Sequence, residues 1–186
     1  GTLRRGTLAV AWTPLRMHNE YRLTLIRHAK SDWDDRSLSD FERPLNARGL
    51  RDAPTMARRF VAGLAREPAT ALRLVSSPAL RALSTAQLFA DTLGIARREL
   101  VLAPRIYEAM PGTLLEIARG FAESDRHVLM FGHNPGLSDF ARIMADCPFS
   151  EMPTCAAAHL RFNARWYDLN PGDGELLRYN FPKQPD

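Results

Sequence analysis

Short apolar runs that stop at a basic or imidazole side chain recur along this chain, and a stretch of helical spacing follows each one. Leu23, Leu25 and Ile26, with Thr24 between them, predict a buried strand ending at Arg27 and His28. Leu72 to Ser77 predicts another. Ser77 reads as a cap and Pro78 as the first-turn proline of a helix that carries Arg81 in its first turn and stops at Gly94, a left-handed terminator. His127 to His133 predicts the cleanest buried strand, with Asn134-Pro135 repeating the cap and proline before the helical run of 137–145.

The segments between are less regular. Asn46 predicts the cap of a helix running through Leu50, Ala53, Ala57, Phe60, Val61 and Leu64; Pro54 leaves two alternatives, a kinked helix or a restart capped by Asp52. Residues 34–49 form the longest span without periodicity, and long ordered loops tend to border functional sites. Val101 opens a short strand or extended connection, Glu108 falls in a loop, and Thr113 to Glu116 is a capping box opening a helix through Phe121. From Ala157 to Leu169 apolar and polar positions alternate, which predicts a strand with His159 on its solvent face. The turn-rich 170–175 and apolar 176–181 then predict a hairpin adding edge strands.

Composition narrows the class. With 186 residues, 45% apolar and 25% charged, the chain suits one globular domain, and no window is long and apolar enough for a membrane-spanning helix. Two cysteines, Cys147 and Cys155, need no disulfide in a chain of this size, so a reducing compartment, the cytoplasm, is the default expectation. The net charge of +4 arises mostly in residues 1–22, where Arg4, Arg5, Arg16 and Arg22 face only Glu20. A nucleic-acid binder carries its excess charge on its folded surface, so that function is not expected. Residues 1–20 lack periodicity and read as an extension outside the fold, with residues 21–186 as the single domain.

If the three strands are neighbours in one parallel sheet, Arg27, His28, Arg81 and His133 converge on one crevice at the strands' carboxyl ends, where ligands bind in open α/β sheets. Taken singly, Arg27 and His28 also read as a cation pair at a solvated strand end, and Arg81 as a surface arginine on an amphipathic helix. Together they suit a dianionic phosphoryl group. Arginine forks match phosphate oxygens, and a neutral imidazole is a competent nucleophile toward phosphorus. His28 must then hold its attacking nitrogen bare, its other nitrogen donating to an acceptor such as a backbone carbonyl. No metal or cofactor is called for: carboxylates do not cluster, and P-loop, GxGxxG, HExxH and paired CxxC motifs are missing. Glu108 is either a carboxylate reaching the cleft or a solvated loop acid, and His18 and His127 have no supporting context.

LIRHAKS, SSPALRALSTA, YEA and FGHNPGL, in that order and spacing, resemble the histidine phosphatase (phosphoglycerate mutase-like) superfamily, in particular its small branch similar to the phosphohistidine phosphatase SixA. The resemblance runs from Tyr21 to the helix after His133 and more weakly through the tail. It implies a three-layer α/β sandwich with a mostly parallel central sheet. It also implies a covalent phosphohistidine on His28 in a pocket of Arg27, Arg81 and His133, and it places Glu108 at the position of the acid that protonates an ester leaving group. Where the superfamily usually has Arg-His-Gly-Glu, this chain has Arg-His-Ala-Lys, which resembles the small branch and argues against a sugar-phosphate mutase. The implied substrate is a histidine-phosphorylated protein domain of phosphorelay type. The alternatives are a small or protein phosphate ester, with Glu108 as acid, and a phosphate-binding module without turnover.

Overall fold

The computed structural model describes residues 20–65 and 70–185, so the extension expected over residues 1–20 lies, except for Glu20, outside the described residues. Strands β1 (Tyr21–Arg27), β2 (Leu72–Ser76), β3 (Val101–Leu102) and β4 (His127–Gly132) run parallel in the order β3-β2-β4-β1. Strand β5 (Ala157–Phe162) pairs antiparallel with β1, and β6 (Gly174–Asn180) pairs antiparallel with β5, completing a six-stranded sheet. The expected hairpin therefore extends the sheet beyond β1, and β6 forms its edge.

Alternation along the strands decides which helices cover which face. Leu23 and Leu25, Val128 and Met130, and Ala158 and Leu160 pack with Leu114, Ala118, Leu137 and Phe140 of helices α3 (Pro111–Arg119) and α4 (Gly136–Met144). Ile26, Leu129, Phe131 and Ala157 pack on the other face with Ala53, Met56, Phe60, Ala86 and Phe89 of α1 (Ala47–Leu64) and α2 (Leu80–Leu93). Strands covered on both faces need apolar residues at nearly every position. Val128 to Phe131 is accordingly an unbroken apolar run at 0% exposure. The architecture is the three-layer α/β sandwich that the resemblance implies.

Local chemistry moves several boundaries. Asn46 caps α1, its side chain accepting from the Gly49 amide at 2.9 Å, and the helix continues through Pro54 to Leu64. Asp52 is thus interior to one helix and caps nothing. Helix α2 begins at Leu80 with Ala79 as its cap, so Ser77 is freed from the capping role expected of it. Helix α3 starts at Pro111, which places Thr113 inside its first turn, where the T-L-L-E box cannot act as a start signal. Helix α4 starts at Gly136, although the Asn134 side chain still accepts from the Ser138 amide and hydroxyl, at 3.3 and 2.6 Å. Gly94 ends α2 in the left-handed conformation, with φ of 70°.

The tail holds the largest correction. Strand β5 stops at Phe162, because Trp166 turns inward to pack on Tyr21, Phe121 and Phe162 and donates its indole N–H to the Asp125 carbonyl at 2.7 Å. His159 is not on a solvent face: it is buried, stacked on Phe60, with Nδ1 3.2 Å from the Thr24 hydroxyl. His127, on β4, reaches the same hydroxyl through Nε2 at 2.9 Å. One threonine hydroxyl thus partners one nitrogen of each buried imidazole beneath α1.

Candidate active site

Because β2, β4 and β1 are adjacent, the segments leaving their carboxyl ends meet. The His28 amide donates to the Gly132 carbonyl at 3.0 Å, and the Ser77 amide donates to the Phe131 carbonyl at 3.0 Å. The rings of His28 and His133 lie 5.3 Å apart. His28 is 8% exposed and its Nδ1 is 2.7 Å from the Ala29 carbonyl. A carbonyl only accepts, so the proton is on Nδ1 and Nε2 keeps its lone pair. Burial lowers the His28 pKa to about 4; the Ala29 hydrogen bond opposes this, while the charges of Arg81, Arg27 and Arg43 add to it. The imidazole is therefore neutral at pH 7.

His133 is also held neutral, its pKa lowered to about 3 by burial and then by His28 and Arg81, with Asp40 opposing. Its Nε2 is 2.8 Å from the Ser77 hydroxyl oxygen, which also accepts from the Ala79 amide at 3.2 Å. The Arg27 guanidinium donates from Nη1 to the Met152 carbonyl at 2.8 Å, and burial lowers its pKa against the raising effect of Glu151. Arg81 donates from Nη1 to the Asp40 carbonyl at 2.7 Å and from Nη2 to Asp40 Oδ2 at 3.0 Å.

Three buried nitrogens of this set have no hydrogen-bond partner among the described residues: Arg27 Nε, Arg81 Nε and His133 Nδ1. Buried polar atoms are nearly always paired, and an unpaired one costs roughly 1–3 kcal/mol. These three residues leave the carboxyl ends of the adjacent strands β1, β2 and β4, and their free N–H groups are of the type that an oxyanion can accept from.

The structure thus brings Arg27, His28, Arg81 and His133 together. Glu108 is on the rim: it is exposed, has a left-handed backbone with φ of 56°, and makes no hydrogen bond among the described residues. Its neighbour Tyr107 is closer in, packing edge-on against His133 with ring centres 5.5 Å apart. Sequence reasoning missed Asp40, Arg43, Ser77 and Tyr107. Asp40 Oδ1 accepts from Arg43 Nη2 at 2.9 Å, and Oδ2 accepts from the Tyr107 hydroxyl at 2.6 Å. Burial acts to raise the Asp40 carboxyl, but the hydrogen bonds from Tyr107 and Arg43 and the charge of Arg81 outweigh it and hold the group well below the usual carboxylate range. The signal for Asp40 and Arg43 was the aperiodic 34–49 loop itself. Among the described residues, no group of three or more His, Cys, Asp or Glu side chains is arranged to hold a metal, and no helix is long and apolar enough to cross a membrane.

Comparison with known proteins agrees with this geometry. The family model of the histidine phosphatase superfamily, branch 1, matches residues 23–129. An uncharacterised chloroplastic protein of Arabidopsis thaliana is 31% identical over 195 residues, covering 92% of this chain and 87% of the relative. An uncharacterised protein of Mycobacterium tuberculosis strain H37Rv is 32% identical over 168 residues, 85% of this chain and all of the relative. Among solved structures, the putative phosphohistidine phosphatase SixA from Agrobacterium tumefaciens superposes with a TM-score of 0.69 at 26% identity, over 87% of this chain and 98% of that one. The protein histidine phosphatase SixA complexed with tungstate shares the fold at 22% identity, with a TM-score of 0.70 over 87% and 97% of the two chains. A family match over more than half of the chain, joined to relatives above 30% identity along most of it, makes this chain a member of the histidine phosphatase superfamily, branch 1, a SixA-like phosphatase whose substrate is phosphorylated.

Proposed function

We propose that the chain removes phosphate from phosphohistidine in a protein, by transfer to His28 and then to water, without a metal. The observation that carries this reading is the set of three buried nitrogens on Arg27, Arg81 and His133, without partners among the described residues, beside a neutral imidazole whose Nε2 is bare. His28 Nε2 forms a bond to phosphorus as the bond to the leaving imidazole breaks, and the leaving nitrogen takes a proton from solvent, which the later attack of water returns. Water then attacks the phosphorus of phospho-His28, releasing inorganic phosphate and restoring the imidazole.

In a loose phosphoryl-transfer transition state the negative charge stays on the three equatorial oxygens, so fixed donors aimed at them do most of the catalysis. Loss of one such donor costs on the order of 3 kcal/mol in the barrier, or about 10²-fold in rate. Ser77 supports the assignment of His133. Its oxygen accepts from the Ala79 amide, and a Ser77 hydrogen given to His133 Nε2 leaves the His133 proton on Nδ1, the atom without a partner among the described residues.

The SixA resemblance supports a phosphohistidine substrate, as does Arg-His-Ala-Lys at residues 27–30. Imidazole also leaves readily once protonated, so a strong acid beside the leaving group is not required. Glu108, exposed beside Tyr107 on the rim, favours a second reading in which a phosphate ester is the substrate and Glu108 protonates the leaving oxygen. The two separate in a panel of a phosphorylated relay domain and small phosphate esters, each with chelator, using wild type, His28→Ala and Glu108→Gln. The first reading expects chelator-resistant turnover of the relay domain, lost in His28→Ala and retained in Glu108→Gln. Preference for an ester that collapses in Glu108→Gln establishes the second, and metal-dependent turnover overturns both.

A further inference from the structure

A guanidinium offers an anion two edges: its end, formed by the two terminal nitrogens, and its side, formed by Nε with one terminal nitrogen. In Arg81 both terminal nitrogens are held by one residue, the Asp40 carbonyl at 2.7 Å and Asp40 Oδ2 at 3.0 Å. The end is committed, and Nε, buried and without a partner among the described residues, belongs to the edge that remains.

Asp40 comes from the loop before α1, and its side chain is 49% exposed, so it needs support to hold anything rigidly. That support comes from Arg43 in its own loop and from Tyr107 in a separate one. Arg43 donates to Oδ1 from Nη2 and Nε, at 2.9 and 3.3 Å; it is itself tied to the Ser31 hydroxyl at 2.7 Å and stacked 3.4 Å over the Trp33 ring. Tyr107, from the loop after β3, donates its hydroxyl to Oδ2 at 2.6 Å, and Phe41 packs edge-on against the Tyr107 ring at 5.2 Å.

We propose that Asp40 is a positioning residue that grips Arg81 by its end, so that the side edge, Nε–H with the second N–H of Nη2, is presented to the phosphoryl group. Arg43 and Tyr107 hold Asp40 in turn. This rests on Arg81 being a phosphate ligand, as read above. Simple charge counting predicts the reverse role, since a carboxylate beside the site repels phosphate and draws off the charge of Arg81. The two roles differ in sign: without Asp40, charge counting expects an anion to bind more tightly, and positioning expects it to bind more weakly.

The test uses the full chain as wild type, Asp40→Asn, Tyr107→Phe, Arg81→Ala and the Asp40→Asn/Arg81→Ala double variant. It measures kcat and KM on a phosphorylated relay domain and inhibition by tungstate. Positioning expects Asp40→Asn to weaken tungstate binding and lower kcat/KM, by up to on the order of 10²-fold, the cost of small misplacements near a reacting group. Tyr107→Phe, which removes one hold on Asp40 without touching α2, shifts both in the same direction by a smaller factor and keeps the test decisive if Asp40→Asn lowers the melting temperature. In the Arg81→Ala background Asp40→Asn adds nothing further, because its effect runs through Arg81. Tighter tungstate binding in Asp40→Asn, or losses that multiply in the double variant, overturns the proposal. If Arg81→Ala is inactive while Asp40→Asn and Tyr107→Phe match wild type, positioning fails and the phosphate-ligand reading stands. If Arg81→Ala keeps full activity, that reading itself fails.

Discussion

The buried imidazole beneath α1 makes stability depend on pH in a way a single substitution can isolate. His127 is 4% exposed, with Nε2 against the Thr24 hydroxyl and its ring edge-on to Phe60. Burial, reinforced by the charges of Arg22 and Arg178, lowers its pKa from 6.5 to about 3. The folded chain keeps this group neutral while the unfolded chain takes up a proton below pH 6.5, so the unfolded state binds more protons and stability falls as pH drops from 6.5 toward 3. At pH 5 the unfolded imidazole is almost fully protonated and the folded one almost fully neutral, a difference of about 2 kcal/mol. Urea unfolding of wild type and His127→Gln at pH 8 and pH 5 measures it. Carboxylates and the more distant imidazoles titrate alike in both chains and cancel, and His159 on the same Thr24 hydroxyl stays neutral in both because burial, the main cause of its lowered pKa, is untouched, so wild type is expected to lose about 2 kcal/mol more than the variant over this interval. Parallel losses in the two chains would refute the account of a desolvated, neutral His127.

Two further substitutions test the walls of the site. A Cβ on Gly136 would lie 2.0 Å from the Ala109 carbonyl oxygen, so Gly136→Ala must push away the loop carrying Tyr107 and Glu108; steady-state kinetics should show kcat/KM lowered by roughly tenfold or more, with a stability cost of about 1–3 kcal/mol in urea unfolding. Ser77→Ala leaves the Ala79 amide and His133 Nε2 without their shared partner; kcat should fall by about 10–10²-fold while KM changes little, as expected for a group that tunes a donor strengthening in the transition state.

The sequence showed the sheet and the four central residues for one reason. Buried parallel strands leave continuous apolar runs, and Arg27, His28 and His133 stand where two of those runs stop, with Arg81 in the helix after a third. The missed residues have no such frame. Asp40 and Arg43 act across a loop whose path is set by contacts distant in sequence, such as the Asp32 amide on the Pro44 carbonyl at 2.8 Å and the Ser31–Leu45 bridge. Ser77 looked like a helix cap because serine before proline so often is one, and only the adjacency of β2 and β4 puts its hydroxyl against His133. Alternation along β5 predicts a half-exposed strand with His159 outward, whereas β5 lies between β1 and β6 under α1, with the polar side chain answered by Thr24. Trp166 ended that strand by preferring the core.

The central claim is that His28 carries the phosphoryl group. Rapid acid-free quench of the full chain mixed with a radiolabelled phosphorylated relay domain, followed by peptide mapping, measures this directly. The account predicts an alkali-stable, acid-labile label on His28 that forms and decays within the turnover time and is missing in His28→Ala. A label on another residue, or full turnover by His28→Ala, would contradict it.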